Sequence, residues 1–351
     1  MVNQRIPSLD GLRAVSILLV VMGHTTNHCS LLSASTDFIH DYAYVGVVIF
    51  FVISGFLITT LLLKEKVSNS CIDVRKFYMR RVLRIIPVSF LYITVVFLLN
   101  IFLSLGIETS AFWCALTYTV NFFDVPKLLG HLWSLSVEEQ FYLFWPLIMR
   151  LPFRKIVFIA LAIVLYAPMS RVINYIFPVL KFATLHPFFK NADSLMIGCL
   201  LAMSREAWPN FWRPSFLKAR FVRLGAVALI LFIPFLDSIK GHHVGYLTTP
   251  FGATIISLSA AYLIASAITV KDNNTYKVLN HPVMVYIGIL SYSIYIWQQL
   301  FIFMPSTHWP YWAGVFPINV VLLFLVSMAS YYLWEKKFLG LKEIFKVKGG
   351  V

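Results

Sequence analysis

Charge is what this chain has least of. Only 13% of its 351 residues are charged, against about 25% in soluble domains. Acidic residues number 15, beside 29 Lys and Arg. Cysteine is sparse too: Cys29, Cys71, Cys114 and Cys199 form no C-x-x-C pair. That excludes a thiol redox motif, a zinc ribbon and an iron–sulfur site. Cys29 and Cys114 both fall near one predicted membrane face, so a disulfide between them stays open. No repeat or low-complexity tract stands out.

Apolar residues fill the space that charge leaves. They make up 59% of the chain, and the mean hydropathy is +0.79. A soluble globule of this size cannot bury that much apolar surface, so the excess faces lipid. This excludes a soluble enzyme, a disordered chain and a secreted disulfide scaffold. The net charge of +14 would suggest nucleic acid in a soluble domain. In a membrane chain it fits Lys and Arg gathered in cytoplasmic loops, and no nucleic-acid partner is expected.

A helix needs about 20 apolar residues to cross the hydrocarbon core. Ten stretches qualify: 14–33, 43–63, 86–105, 137–150, 155–175, 188–204, 222–237, 247–270, 283–304 and 314–334. The fourth is short. Residues 112–123 are apolar but too short to cross, and read as a half-buried interfacial helix. The prediction is an all-α polytopic bundle of about ten transmembrane helices. With both termini inside, 24 of the 29 basic residues fall on inner segments; the other five are Lys127, Arg171, Lys181, Lys190 and Lys240. The positive-inside bias therefore favours cytoplasmic termini. The first span lacks a clear cleavage site and reads as retained. His308, Trp309, Tyr311 and Trp312 resemble an outer aromatic belt. Residues 1–335 read as one transmembrane domain and 336–351 as a short basic tail on the inner leaflet.

Ionisable residues inside a membrane are costly, so each is a site hypothesis. The opening span carries Asp10, Arg13 and His24. Eleven helical steps put Arg13 and His24 on one face, about 16 Å apart along the axis. Arg13 then sits at the cytoplasmic interface with Asp10 in reach. His24 lies well inside, toward the outer half. A neutral imidazole is the natural general base near pH 7; the alternative is a packing histidine bonded to a neighbouring helix. His28 is four residues on, but no third ligand is evident and no metal is expected.

Arg80, Arg81 and Arg84 form a helical stripe in a cytoplasmic loop. Three guanidinium forks suit several phosphates, or simply lipid head groups. The stretch from His131 to Tyr142 is expected to open the fourth span. Ser136 and Glu139 fit a capping box there. Glu138 has no such structural excuse and suits charge balance of an imidazolium. Asp193 reads as a possible substrate contact near an outer helix end, and Glu335 as a partner of Lys336 or Lys337.

These residues carry a resemblance. Leu9-Asp10-Gly11-Leu12-Arg13-Ala14 with Arg-x10-His ending at His24, Phe50 to Leu57 including Ser54, Arg81-x-x-Arg84, and Trp133-Ser134-Leu135-Ser136-Val137-Glu138-Glu139-Gln140-Phe141-Tyr142 are similar to motifs of the membrane acyltransferase type 3 family. That family comprises bacterial polysaccharide O-acyltransferases. The resemblance spans nearly the whole chain. It implies acetyl- or acyl-CoA as donor, no permanently bound cofactor, and a sugar hydroxyl of a lipid-linked or surface glycan as acceptor. It also implies a multi-pass protein of the bacterial cytoplasmic (inner) membrane. The chain departs where the family often has histidine: Tyr295-Ile296-Trp297 is followed by Gln298. The familiar Glu-x-Pro-Phe reads Glu335-Lys336-Lys337-Phe338. Some relatives carry a hydrolase-like (SGNH) domain after the last span; here it is expected to be absent.

The mechanism these readings imply is transfer across the membrane. Arg80, Arg81 and Arg84 hold the donor's phosphates, and Arg13 binds the donor or steadies the first helix. The pantetheine arm, about 15–20 Å long, carries the thioester toward His24. His24 activates the sugar hydroxyl, Glu138 supports the imidazolium, and Trp133, Ser134 or Tyr142 steadies the oxyanion. Direct transfer is favoured; an acyl-enzyme also fits. Two rivals are a transporter or flippase and a structural partner in a glycan-export complex.

Overall fold

The computed structural model describes residues 6–25, 37–238, 242–271, 273–303 and 310–345. Among them every regular element is helical. In chain order the main helices are α1 (Pro7–Thr25), α2 (Asp37–Asn69), α3 (Val74–Leu103), α4 (Thr109–Leu116), α5 (Leu132–Ile148), α6 (Phe153–Ile176), α7 (His186–Ala207), α8 (Arg220–Ser238), α9 (His242–Thr269), α10 (Pro282–Ile302) and α11 (Ile318–Ser330). Beyond α11 a π-helical turn, Tyr331–Glu335, leads into a short helix, Lys336–Leu341, and a 3-10 turn, Lys342–Phe345.

Among the described residues, seven segments are long and apolar enough to cross a membrane: Pro7–Thr25, Asp41–Asn69, Val74–Leu103, Phe153–Ile176, Leu247–Thr269, Pro282–Ile302 and Ile318–Leu341. The other three stretches taken as spans are also helices, α5, α7 and α8, but fall outside that measure. For α5 the reason is length, 17 residues. For α7 it is polarity: His186, Lys190, Asn191 and Asp193 crowd its first two turns. Protein rather than lipid covers α7, where residues 191 to 199 are all buried. A helix inside a bundle does not need lipid-grade apolarity. The interfacial segment is α4 followed by one turn at Val120–Phe122, with Ala111, Phe112 and Ala115 buried.

α2 and α7 pack backbone to backbone. A Cβ on Gly55 would lie 2.0 Å from the Leu195 carbonyl oxygen, and one on Gly198 would lie 2.1 Å from that of Val52. Only glycine lets these backbones meet. That contact fixes the height of Ser54, the preceding residue. On its other side α2 packs against α1, and α1 against α10.

The α2–α3 turn is held by charge. Asp73 caps α3 by accepting the Lys76 amide proton at 3.0 Å, which holds its carboxyl below the usual carboxylate range. Its contribution is therefore present above about pH 4 and lost as pH falls through the lowered value. Glu65 accepts the Asp73 amide proton at 2.8 Å and pairs with Arg80 at 3.1 Å. Arg80 also donates to the Phe345 carbonyl at 3.0 Å. These bonds leave the next turn of α3 free to aim Arg81 and Arg84 elsewhere.

Candidate active site

Arg81 and Arg84 point into a cavity of about 190 Å³ between α1, α2, α3, α5 and α10. Arg13, Ser54, Glu138 and Tyr142 share its wall. The Arg81 guanidinium lies over the Tyr142 ring, 4.7 Å from its centroid. Tyr142 and Ser54 share a short hydrogen bond, and Glu138 stands with them on the same wall. Around Glu138 stand Arg81, Arg13 and Arg84. Asp10 is buried and belongs to the charged surroundings of Arg13. Three guanidinium groups beside one carboxylate give this small cavity the chemistry to hold an anion.

Arg80 is separated from this group. The sequence reads the three arginines as one stripe, but adjacent helical residues diverge by 100°. Arg80 accordingly turns to Glu65 while Arg81 faces inward.

The capping-box reading of Ser136 and Glu139 is also corrected. The helix starts at Leu132, so both lie in its interior. The Ser136 hydroxyl donates to the Leu132 carbonyl at 2.9 Å and does not line the cavity. Glu139 keeps a buried carboxylate oxygen without a hydrogen-bond partner, with Arg81 and Glu138 as charged neighbours.

At its far end the cavity reaches Ser134 and Tyr295, whose hydroxyls lie 2.5 Å apart. The Tyr295 hydroxyl is also 2.8 Å from the His131 carbonyl. The buried His131 ring lies against Tyr295 and Tyr92 and is in electrostatic range of His24. His24 itself is half-buried and does not line the cavity. It stands beyond this layer, where its Nδ1 lies 3.1 Å from Oε1 of the buried Gln298. Its ring meets Phe303 edge-on. His28 and Cys29 lie outside the described residues, and Cys114 is a free thiol.

Asp193 is not exposed to a substrate. It is fully buried and pairs with Arg171 at 2.6 Å, while Thr254 donates to it at 2.5 Å. Arg171 further donates to the Lys190 and Pro250 carbonyls, so the cluster ties α6, α7 and α9 together. Asp193→Ala strands a buried cation and is expected to cost about 3–5 kcal/mol, whereas replacing both partners by apolar residues costs far less. Thermal unfolding of the purified variants checks this. An unchanged melting temperature for Asp193→Ala would return the residue to a substrate role.

Glu335 also differs from expectation. It accepts a short hydrogen bond from Ser293 rather than pairing with Lys336 or Lys337, because the π-helical turn rotates it inward, where it is buried. Trp133 lies off the cavity wall, edge-on to Phe51, which is part of it. Sequence reasoning missed Ser291, Tyr292 and Tyr295 as cavity residues. Their signal was the polar run on α10, noted only for its departure from the familiar pattern.

The family model described as an acyltransferase domain matches residues 6–334. The chain belongs to that acyltransferase family. It is 28% identical over 325 residues to a peptidoglycan O-acetyltransferase of Listeria monocytogenes, covering 84% of this chain and 49% of the relative. It is 30% identical over 375 residues to a Bacillus subtilis protein provisionally named for peptidoglycan O-acetylation, covering 95% and 55%. A Staphylococcus aureus protein provisionally named an O-acetyltransferase is 29% identical over 343 residues, covering 90% and 53%. This acyltransferase thus spans about half the length of the curated relatives it matches. No solved structure matches it.

Proposed function

We propose that this acyltransferase moves an acetyl group from cytoplasmic acetyl-CoA to a hydroxyl of a cell-envelope glycan on the far side of the membrane. The observation that carries this reading is the cavity with Arg13, Arg81 and Arg84 at one end and the His131–His24 layer beyond the other. The arginine end faces the cytoplasm on the positive-inside rule, with both termini inside and about ten crossings of a bacterial cytoplasmic membrane. The names of the relatives favour a cell-wall glycan as acceptor.

Arg81 and Arg84 hold the donor's phosphates, and Arg13 with Glu138 sets the charge at the cavity's inner end. The thioester arm runs along the cavity toward Ser134 and Tyr295, whose hydroxyls steady the carbonyl oxygen as charge develops on it. His24 takes the sugar hydroxyl's proton on Nε2. The oxygen attacks the thioester carbon, the C–S bond breaks, and the thiolate leaves with the proton that His24 returns. Gln298 accepts the Nδ1 proton of His24 and so keeps Nε2 as the basic nitrogen. It fills the place of the histidine common in relatives.

Removing that acceptor by Gln298→Leu is expected to lower the turnover rate about tenfold while leaving the KM for acetyl-CoA unchanged. Gln298→Glu, which restores an acceptor, recovers most of the loss. Steady-state kinetics on protein in nanodiscs measures both. The class of activity is tested by thiol release from acetyl-CoA with a glycan acceptor present. The reading requires one free thiol per ester formed; a transporter releases none.

A further inference from the structure

A second cavity, of about 360 Å³, lies at the opposite end of the bundle from Arg81 and Arg84, among the ends of α2, α6, α7, α8 and α9. Nothing in the proposed reaction uses it. Its wall holds two side chains with spare capacity. The Asn174 carbonyl oxygen is buried without a hydrogen-bond partner. Lys190, half-buried, has no carboxylate within ion-pair distance among the described residues; its ammonium lies 5.6 Å over the Trp133 ring. The other charges are committed. Arg171 spends its donors on Asp193, Thr254 and the carbonyls of Lys190 and Pro250. Asp41 has an interaction of its own beyond the described contacts, and His186 is bonded to Ser170 at 2.9 Å. Exposed Tyr175 stands at the rim.

We propose that this cavity binds a carboxylate-bearing sugar of the acceptor glycan, with Lys190 as counter-ion and Asn174 accepting a sugar hydroxyl proton. An unpaired, partly desolvated ammonium favours an anion, and an orphaned amide oxygen needs a donor. A sugar acid supplies both groups on one ring, and Tyr175 offers it an apolar face. Position supports the assignment. Lys190 lies over Trp133, and Trp133 meets Phe51 on the wall of the inner cavity. A chain held here lies one aromatic pair away from the place where the thioester arm arrives. The inference rests on the reading that the sugar approaches from this side.

The test is equilibrium binding to the full chain in nanodiscs, with trigalacturonic acid and its methyl ester as probes. The acid is expected to bind about tenfold more tightly than the ester. Lys190→Gln should erase that difference and Lys190→Arg keep it. Equal binding of acid and ester, no binding of either, or a preference that survives Lys190→Gln overturns the inference. Coenzyme A binding is measured on the same samples. If it is intact while the acid preference is missing, this inference alone fails; if coenzyme A does not bind, the donor reading fails.

Discussion

His24→Ala is expected to lower acetyl transfer by about 10²–10⁴-fold, the range for losing a general base, while folded yield and coenzyme A binding stay at wild-type levels. The separation follows from geometry. His24 lies beyond the cavity that holds the arginines and makes no wall of it, so the donor's phosphates do not meet it. Among the described residues its partners are Gln298 on α10 and the ring of Phe303. Among the described residues, losing this half-buried imidazole removes one side-chain hydrogen bond, worth about 1 kcal/mol of stability. A packing histidine would show the reverse: weaker folding and near-normal turnover per folded molecule. Transfer rates normalised to folded protein, with coenzyme A binding in parallel, separate the two.

The second large effect is on the donor. Replacing Arg81 and Arg84 together by glutamine is expected to raise the KM for acetyl-CoA about 10²-fold or more, since each charge-assisted hydrogen bond contributes about 1.5–3 kcal/mol. Arg80→Gln serves as the comparison. Its guanidinium is engaged by Glu65 and the Phe345 carbonyl, so its loss is expected to loosen the α2–α3 turn and leave the donor KM within about twofold. Glu65 is buried, so breaking this pair costs stability, which folded yield reads separately from the donor KM. Equal effects of all three arginines would mean that the stripe binds as a unit and that the inward turn of Arg81 has no bearing on the donor.

The contrast between Arg80 and Arg81 marks what the sequence can carry. Helical spacing places Arg13 and His24 on one face, and α1 runs unbroken from Pro7 to Thr25. The same spacing cannot say which of two adjacent arginines a buried carboxylate will claim, because Glu65 lies on another helix. The helix ends were hardest to place. Ser136 and Glu139 have the residue types of an N-terminal cap, yet α5 begins one turn earlier, at Leu132. Polar residues also mislead in a bundle. Asp193 looks like a substrate contact until Arg171, 22 residues earlier in the chain, is seen to neutralise it. Gln298 is the opposite case. Its type marks a departure from relatives, but only the packing of α1 against α10 reveals that it holds His24.

The central claim is that the donor and the acceptor meet from opposite faces of the membrane. Proteoliposomes with one known protein orientation test it most directly, with acetyl-CoA supplied only on the Arg81–Arg84 side and a glycan acceptor only on the other. The account predicts O-acetyl esters on the acceptor side, matched one for one by free coenzyme A on the donor side, with both lost in His24→Ala. Esters formed only when acetyl-CoA and acceptor share one compartment would contradict it.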